Sequence, residues 1–141
     1  MINNNLYFQI ELTARRIRQY GQNVLKSHGV DITIEQWLVL NVVNENKAIS
    51  QISIGEKLAK DKPTISRMVN HLEKKEFIVK ASSDSDYRKV ELSISKKGEK
   101  LINNLFPIIE KIRLTGLSKI SAEENKSIKT ILNKIQKNLN D

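Results

Sequence analysis

Between Lys62 and Lys74 the chain reads KPTISRMVNHLEK, and its hydrogen-bonding side chains recur at a spacing that gathers them on one surface. Ile65, Met68, Val69 and Leu72 fall at i, i+3, i+4 and i+7, the repeat of a single apolar stripe on an α-helix. Pro63, Arg67, Asn70 and Lys74 then point the opposite way, flanked by Thr64, Ser66 and His71. Chemically this outer face is a set of groups for phosphate oxygens and base edges: arginine suits guanine, asparagine suits adenine, and the hydroxyls serve either. No acidic residue interrupts it between Pro63 and Leu72. Lys62, His71 and Lys74 carry charge fit for phosphate contacts, which position a protein without specifying sequence, and fit equally for a solvated helix face.

A second polar cluster, SSDSDYRKVEL from Ser82 to Leu92, sets small residues and two aspartates against Tyr87, Arg88 and Lys89. Phe77, Ile78 and Val79 lead into it, and Val90, Leu92 and Ile94 alternate with Glu91 and Ser93 on the way out, the period of a β-strand. Two strands around a polar tip predict a hairpin. A lone strand pair is marginal in water, so this one must lean on helices. The tip reads either as a solvated turn or as a basic finger.

The chemistry of catalysis is missing. There is no glycine-rich phosphate loop, no GxSxG elbow and no HExxH, and His28 and His71 stand apart from each other. With no cysteine, disulfides, thiolate metal sites and thiol redox sensing are excluded, and no cofactor or metal is expected. An enzyme is therefore not expected. The chain carries 24 Lys+Arg against 16 Asp+Glu, a net charge of +8, which favours a polyanionic partner.

The remaining elements must position these two clusters. Tyr7, Ile10, Ala14, Ile17, Gly21 and Val24 recur at three- and four-residue steps and predict a long first helix ending near Ser27-His28-Gly29. Its narrow seam suits either the core of a monomer or packing against another chain. Thr33-Ile34-Glu35-Gln36 has capping-box form and opens a second helix with Trp37, Leu38, Leu40 and Val43 on its buried side. Ser50 can cap a third, with Ile54 and Leu58 inward, and a break from Lys60 to Pro63 separates it from the helix described above. Leu101, Leu105, Ile108, Ile109 and Ile112 define a helix that Pro107 should kink without abolishing. Ser121 and Glu124 form another capping box, ahead of Ile128, Ile131, Leu132, Ile135 and Leu139.

The 141 residues suit one domain, mainly α with a small β-hairpin, an α+β chain. No apolar run approaches a membrane span, and the N-terminus MINNNLYFQIEL lacks a basic start and an apolar core, so a cytoplasmic chain with no membrane partner is expected.

The order helix, helix, helix-turn-helix, hairpin is the layout of a winged helix-turn-helix, whose second paired helix enters the major groove. The sequence resembles the MarR (multiple antibiotic resistance regulator) family over nearly its whole length. IGEKLAKDKPTISRMVNHLEKKEFIVK, from Ile54 to Lys80, looks like that family's helix-turn-helix, and DYRKVELSISKKG, from Asp86 to Gly98, looks like its wing and the start of a dimerisation helix. The resemblance implies a homodimer in which residues 1–30 and 98–141 form the dimer base and residues 31–97 a winged helix-turn-helix DNA-binding lobe. Tyr7, Ile10, Leu105, Ile108, Ile109, Ile112, Ile128, Ile131 and Ile135 would supply the interface, some of them serving as intrachain core instead. It implies a sequence-specific regulator of transcription, a repressor on a pseudo-palindromic operator in double-stranded DNA, with Thr64, Ser66, Arg67 and Asn70 on the reading helix. Arg88 matches the family arginine that reaches into the minor groove, Asp86 the acid that orients it, and Lys89 adds charge beside them. A small aromatic or anionic effector between base and lobe is implied too, near Tyr20, His28 and Trp37. Tyr87 stands where a second arginine is frequent, and Glu76 where glycine is, so the wing's grip and the helix exit depart from the family pattern. The alternative use of such a fold is a protein-interaction module, its basic face meeting an acidic partner.

Overall fold

Each α-helix among the described residues begins at a polar side chain that accepts a hydrogen bond from the first turn, satisfying amides the helix itself leaves free. In the computed structural model, which describes residues 2–83, 86 and 88–140, a 3-10 turn (Ile2–Asn4) precedes α1 (Leu6–Ser27), capped by Asn5. The caps of α2 (Ile34–Asn44), α3 (Gln51–Leu58) and α4 (Lys62–Lys74) are Thr33, Ser50 and Asp61. A hairpin of β1 (Ile78–Ser82) and β2 (Val90–Ile94) follows. Ser95 then caps α5 (Lys96–Gly116) and Ser121 caps α6 (Ala122–Leu139). Both expected capping boxes form, Thr33 with Gln36 and Ser121 with Glu124. The fold is that of a winged helix-turn-helix between terminal helices, as the sequence indicates.

The core lies inside the lobe. Val39, Leu40 and Val43 of α2, Ile54 of α3, the Ile65–Met68–Val69–Leu72 stripe of α4, and Ile78 and Leu92 of the hairpin bury against one another, closed by Leu25 and Leu105 from the flanking helices. Three assignments shift by a residue or a role. On α2 it is Val39 that is buried, whereas Leu38 is exposed. On α1 Leu25, not Val24, reaches the core, and Tyr7, Ala14 and Ile17 of the seam stay exposed within the chain. Leu105 is 2% exposed, so its side chain has no surface to offer a second copy and belongs to the intrachain core. Pro107 sits inside α5, which runs on to Gly116.

The strands pair antiparallel with Ile78 opposite Ile94 and Lys80 opposite Leu92. On the far side of Leu92, Ile49 adds a single-residue bridge, donating to the Leu92 carbonyl at 3.0 Å and accepting its N–H at 2.7 Å. The wing is thereby stitched to the loop between α2 and α3. At the C-terminus the situation reverses: α6 buries none of its residues within the chain, and Ile128 and Ile131 are 54% and 53% exposed. Among the described residues no helix is long and apolar enough to cross a membrane.

The α4 exit fixes where the wing starts. Glu76 has φ +66°, its N–H bonds the Glu73 carbonyl at 2.8 Å, and the Phe77 N–H reaches the Leu72 carbonyl at 3.0 Å. These are the two bonds of a Schellman termination, normally built on glycine because the left-handed conformation crowds a Cβ. Glu76→Gly should relieve that crowding and lose part of the gain to unfolded-chain entropy, for a net stabilisation of about 0.5–1 kcal/mol. Denaturant unfolding monitored by Trp37 fluorescence checks the shift in midpoint.

Candidate nucleic-acid interface

The outward face of α4 begins at Asp61. Its carboxylate accepts from the Thr64 N–H at 2.8 Å, and those Thr64 hydrogen bonds hold the acid below the usual carboxylate range. A carboxylate at a helix N-terminus also meets the positive end of the helix dipole. The cap is thus present at neutral pH and lost only when acid protonates it. Pro63 occupies the first turn, where its missing N–H leaves no bond unmade. The break before α4 accordingly falls at Ala59–Asp61, ahead of the expected Lys60–Pro63, with Ala59 in the left-handed conformation at φ +52°.

With Ile65, Met68, Val69 and Leu72 buried, α4 cannot roll, and the outward set is fixed. Lys62, Arg67, Asn70, His71 and Lys74 are exposed, while Thr64 and Ser66 are half-buried at the flanks. Arg67 Nη2 lies 3.4 Å from Thr64 Oγ1, a weak contact that leaves most of the guanidinium free. Behind this face, Glu35 of α2 accepts from Lys60 Nζ at 3.0 Å and pairs with Arg18 of α1 at 3.3 Å, so the turn between α3 and α4 is tied to both helices.

The wing's polar end is organised by Asp86. Its Oδ1 accepts from the Arg88 backbone N–H at 3.0 Å, its carbonyl accepts from the Lys89 N–H at 3.0 Å, and the Ser83 N–H bonds the Lys89 carbonyl at 2.8 Å. Asp86 therefore orients Arg88 through the backbone. Among the described residues no ion pair engages the Arg88 guanidinium, and both Arg88 and Lys89 are exposed. Tyr87, whose place in the wing departs from the family pattern, lies outside the described residues.

The α4 exit, the α1–α2 connection and the start of α5 meet at a dense polar junction. Ser95 Oγ donates to the Glu76 carbonyl at 2.6 Å and accepts from the Gly98 N–H at 3.0 Å, and Lys97 Nζ donates to the Lys75 carbonyl at 2.9 Å while lying 5.1 Å from the Phe77 ring centre. Lys75 Nζ bonds both the Asp31 carboxylate and the Asp31 carbonyl, the latter at 2.7 Å. That lysine holds the Asp31 carboxyl below its ordinary range. A cleft of about 520 Å³ opens here, with Val30, Phe77, Leu101 and Ile108 as apolar wall, His28 lining it, and Lys75 and Lys97 supplying cationic groups, Lys75 paired with Asp31. Of the three residues assigned to a pocket from the sequence, only His28 lines it. Tyr20 faces outward from α1 beside buried Gly21, and Trp37 packs against the core, because helix phase turns both away from the cleft.

The proposed interface residues divide. Tyr7, Ile128 and Ile131 are exposed, and Ile10, Ile108, Ile109, Ile112 and Ile135 are half-buried, with Ile108 and Ile109 packed on the core. Sequence reasoning missed Asp61, Lys80 and Ser95. Asp61 had a readable signal, an Asx residue three before Thr64 with proline between. Lys80 had a subtler one: opposite Leu92 it takes an inward strand position, where a lysine must find a polar exit.

Residues 32–90, spanning α2 to the start of β2, match the sequence profile of the MarR family. The HTH-type transcriptional regulator SarZ of Staphylococcus aureus (strain USA300) is 23% identical over 111 residues, which cover 79% of this chain and 74% of the relative. Among solved structures, the Staphylococcus aureus MepR–DNA complex superposes with a TM-score of 0.83 at 24% identity, covering 95% of this chain and 98% of that one. Bordetella bronchiseptica BpsR, studied for regulation of its DNA binding by 6-hydroxynicotinic acid, superposes at 0.86 with 19% identity over 94% of each chain. The family profile falls on the capped helix α4 and the stitched wing, and solved structures of the same fold share the terminal helices around them; residues 32–90 of this chain carry a MarR family domain.

Proposed function

We propose that the chain is a sequence-reading DNA-binding regulator of transcription that works as a homodimer in the cytoplasm and represses by occupying a pseudo-palindromic operator. The observation that carries this reading is the outer face of α4. Arg67, Asn70, His71 and Lys74 stand exposed on a helix whose opposite stripe is locked into the core, with no acid between Lys62 and Leu72. Such a face offers bidentate and single donors to major-groove edges while its lysines meet phosphates. Arg88 at the wing tip would enter the flanking minor groove, where negative potential attracts a guanidinium without base-specific bonds. Residues 1–30 and 98–141 would form the base that places two reading helices at matching half-sites. The cleft of cationic groups over an apolar wall suits a small aromatic anion, which would act by favouring a spacing of the lobes that misfits the operator.

Selection of binding sites from random duplexes tests the reading. A two-fold symmetric consensus is expected, with affinity falling steeply as salt rises. Arg67→Ala should cost about 1–3 kcal/mol on the selected site and relax one position of the consensus if Arg67 makes a bidentate base contact. Equal losses on selected and random DNA would make Arg67 a phosphate contact, and a protein that ignores the duplex pool yet holds an acidic protein stoichiometrically would reverse the assignment to DNA.

A further inference from the structure

Asn70 carries the amide on the reading face, and its orientation is not free. Lys80 Nζ donates to Asn70 Oδ1 at 2.8 Å and lies 3.4 Å from Glu73. The geometry follows from the hairpin register. Lys80 pairs with Leu92 and shares its face with Ile78, both fully or nearly buried, so its stem crosses the core edge and its amine emerges beside α4. An ammonium has only donors, so the amide atom turned toward it must be the oxygen. Glu73 holds the ammonium in place from the next turn. The Asn70 amino group is left as the free pole of the amide, with no partner among the described residues.

That constraint bears on which base asparagine can read. The two-point contact with adenine needs Oδ1 to accept from the N6 amino group while Nδ2 donates to N7. With Lys80 occupying Oδ1, an incoming amino group would meet a positive charge beside its acceptor. Donation from Nδ2 is unaffected. We propose that Lys80 is a positioning residue that sets the base preference of Asn70, turning its amide into a donor suited to the O6 and N7 acceptors of guanine and unsuited to the two-point contact with adenine. This rests on the reading of α4 as the base-contacting helix, and it adds a residue from the wing's first strand to the determinants of specificity.

Site selection from random duplexes with the wild type, Asn70→Ala, Lys80→Met and Lys80→Arg tests it. Asn70→Ala should flatten one position of each half-site, which identifies the base pair that Asn70 reads. At that position the wild type should prefer a G·C pair, Lys80→Arg should keep the preference, and Lys80→Met should move it about tenfold toward an A·T pair with the other positions unchanged. Lys80→Ala repeats the test if Lys80→Met melts early. An A·T pair at that position in the wild type would overturn the proposal, as would an unmoved consensus in Lys80→Met with affinity lost equally on all duplexes, the mark of a phosphate contact. A wild-type pool without any consensus would sink the DNA reading itself and this inference with it, whereas a clear consensus that ignores Lys80 sinks only the role of Lys80.

Discussion

A chain carrying Ile128→Glu and Ile131→Glu should run as a folded monomer and lose about 10²- to 10⁴-fold in affinity for a two-half-site duplex, while its contact with an isolated half-site stays nearly unchanged. The expectation comes from where α6 spends its apolar residues. Its capping box and its Ile128, Ile131, Leu132, Ile135 and Leu139 side would be costly in a helix meant for water, yet no α6 residue is buried by the rest of the chain. Tyr7 of α1 and Phe106 and Leu114 of α5 leave further large apolar side chains exposed on the other terminal helices. A second copy would cover this surface, and glutamates at its centre would bring like charges together in a desolvated seam. Because neither isoleucine belongs to the core, the lobe should keep its melting transition. Sedimentation velocity reads the oligomeric state, and paired titrations of one- and two-half-site duplexes separate lost avidity from lost recognition. A variant that stays dimeric would place the interface elsewhere.

Legibility of the sequence tracked the range of the interaction involved. Capping boxes at Thr33 and Ser121, the cap at Ser50, the α4 stripe and the strand from Val90 to Ile94 are local patterns, decided within about four residues, and each appears where expected, although of the alternating set only Leu92 is buried and Val90 is exposed at the edge. Choices between adjacent apolar residues were harder. Val24 and Leu25, or Leu38 and Val39, are about 100° apart on a helix, and only the neighbouring elements decide which of two hydrophobes faces inward. Bonds across long sequence separations left no periodic trace at all: Ile49 with Leu92, Lys75 with Asp31, Lys80 with Asn70. For the reading face, the residue types on α4 were enough to nominate the contacts, whereas the state of those side chains was not. Asn70 engaged by Lys80 is a different reagent from a free asparagine, and Asp86 acting through the Arg88 backbone differs from an acid paired with a guanidinium. The cleft beside the α4 exit was the least legible element, since its lining comes from the α1–α2 connection, the α4 exit and α5 together.

Gly98→Ala should destabilise the protein by about 3 kcal/mol, although an alanine would ordinarily improve a helix at that point. Gly98 lies in the first turn of α5, and a Cβ there would fall 2.2 Å from the Phe77 carbonyl oxygen and 2.9 Å from Ile94 Cγ1. Neither neighbour can step aside cheaply. The Phe77 carbonyl is backbone and already accepts the Ser95 N–H at 3.0 Å, and Phe77 follows directly on the Schellman exit at Glu76. Pushing that carbonyl away would break the Ser95 bond, loosen the α5 cap at Ser95 and shift the point where β1 leaves α4. The same displacement alters how the lobe sits on the base, so operator affinity should fall beyond what the fraction unfolded explains. Gly116→Ala is the control, because a Cβ there meets nothing within 4 Å and should leave stability unchanged or slightly raised. Denaturant midpoints for both variants, together with operator titrations well below the Gly98→Ala transition, check the two parts separately. A Gly98→Ala protein as stable as the Gly116→Ala control would mean that α5 can shift against Phe77 and Ile94, and that α5 and the hairpin are less rigidly joined than this contact requires.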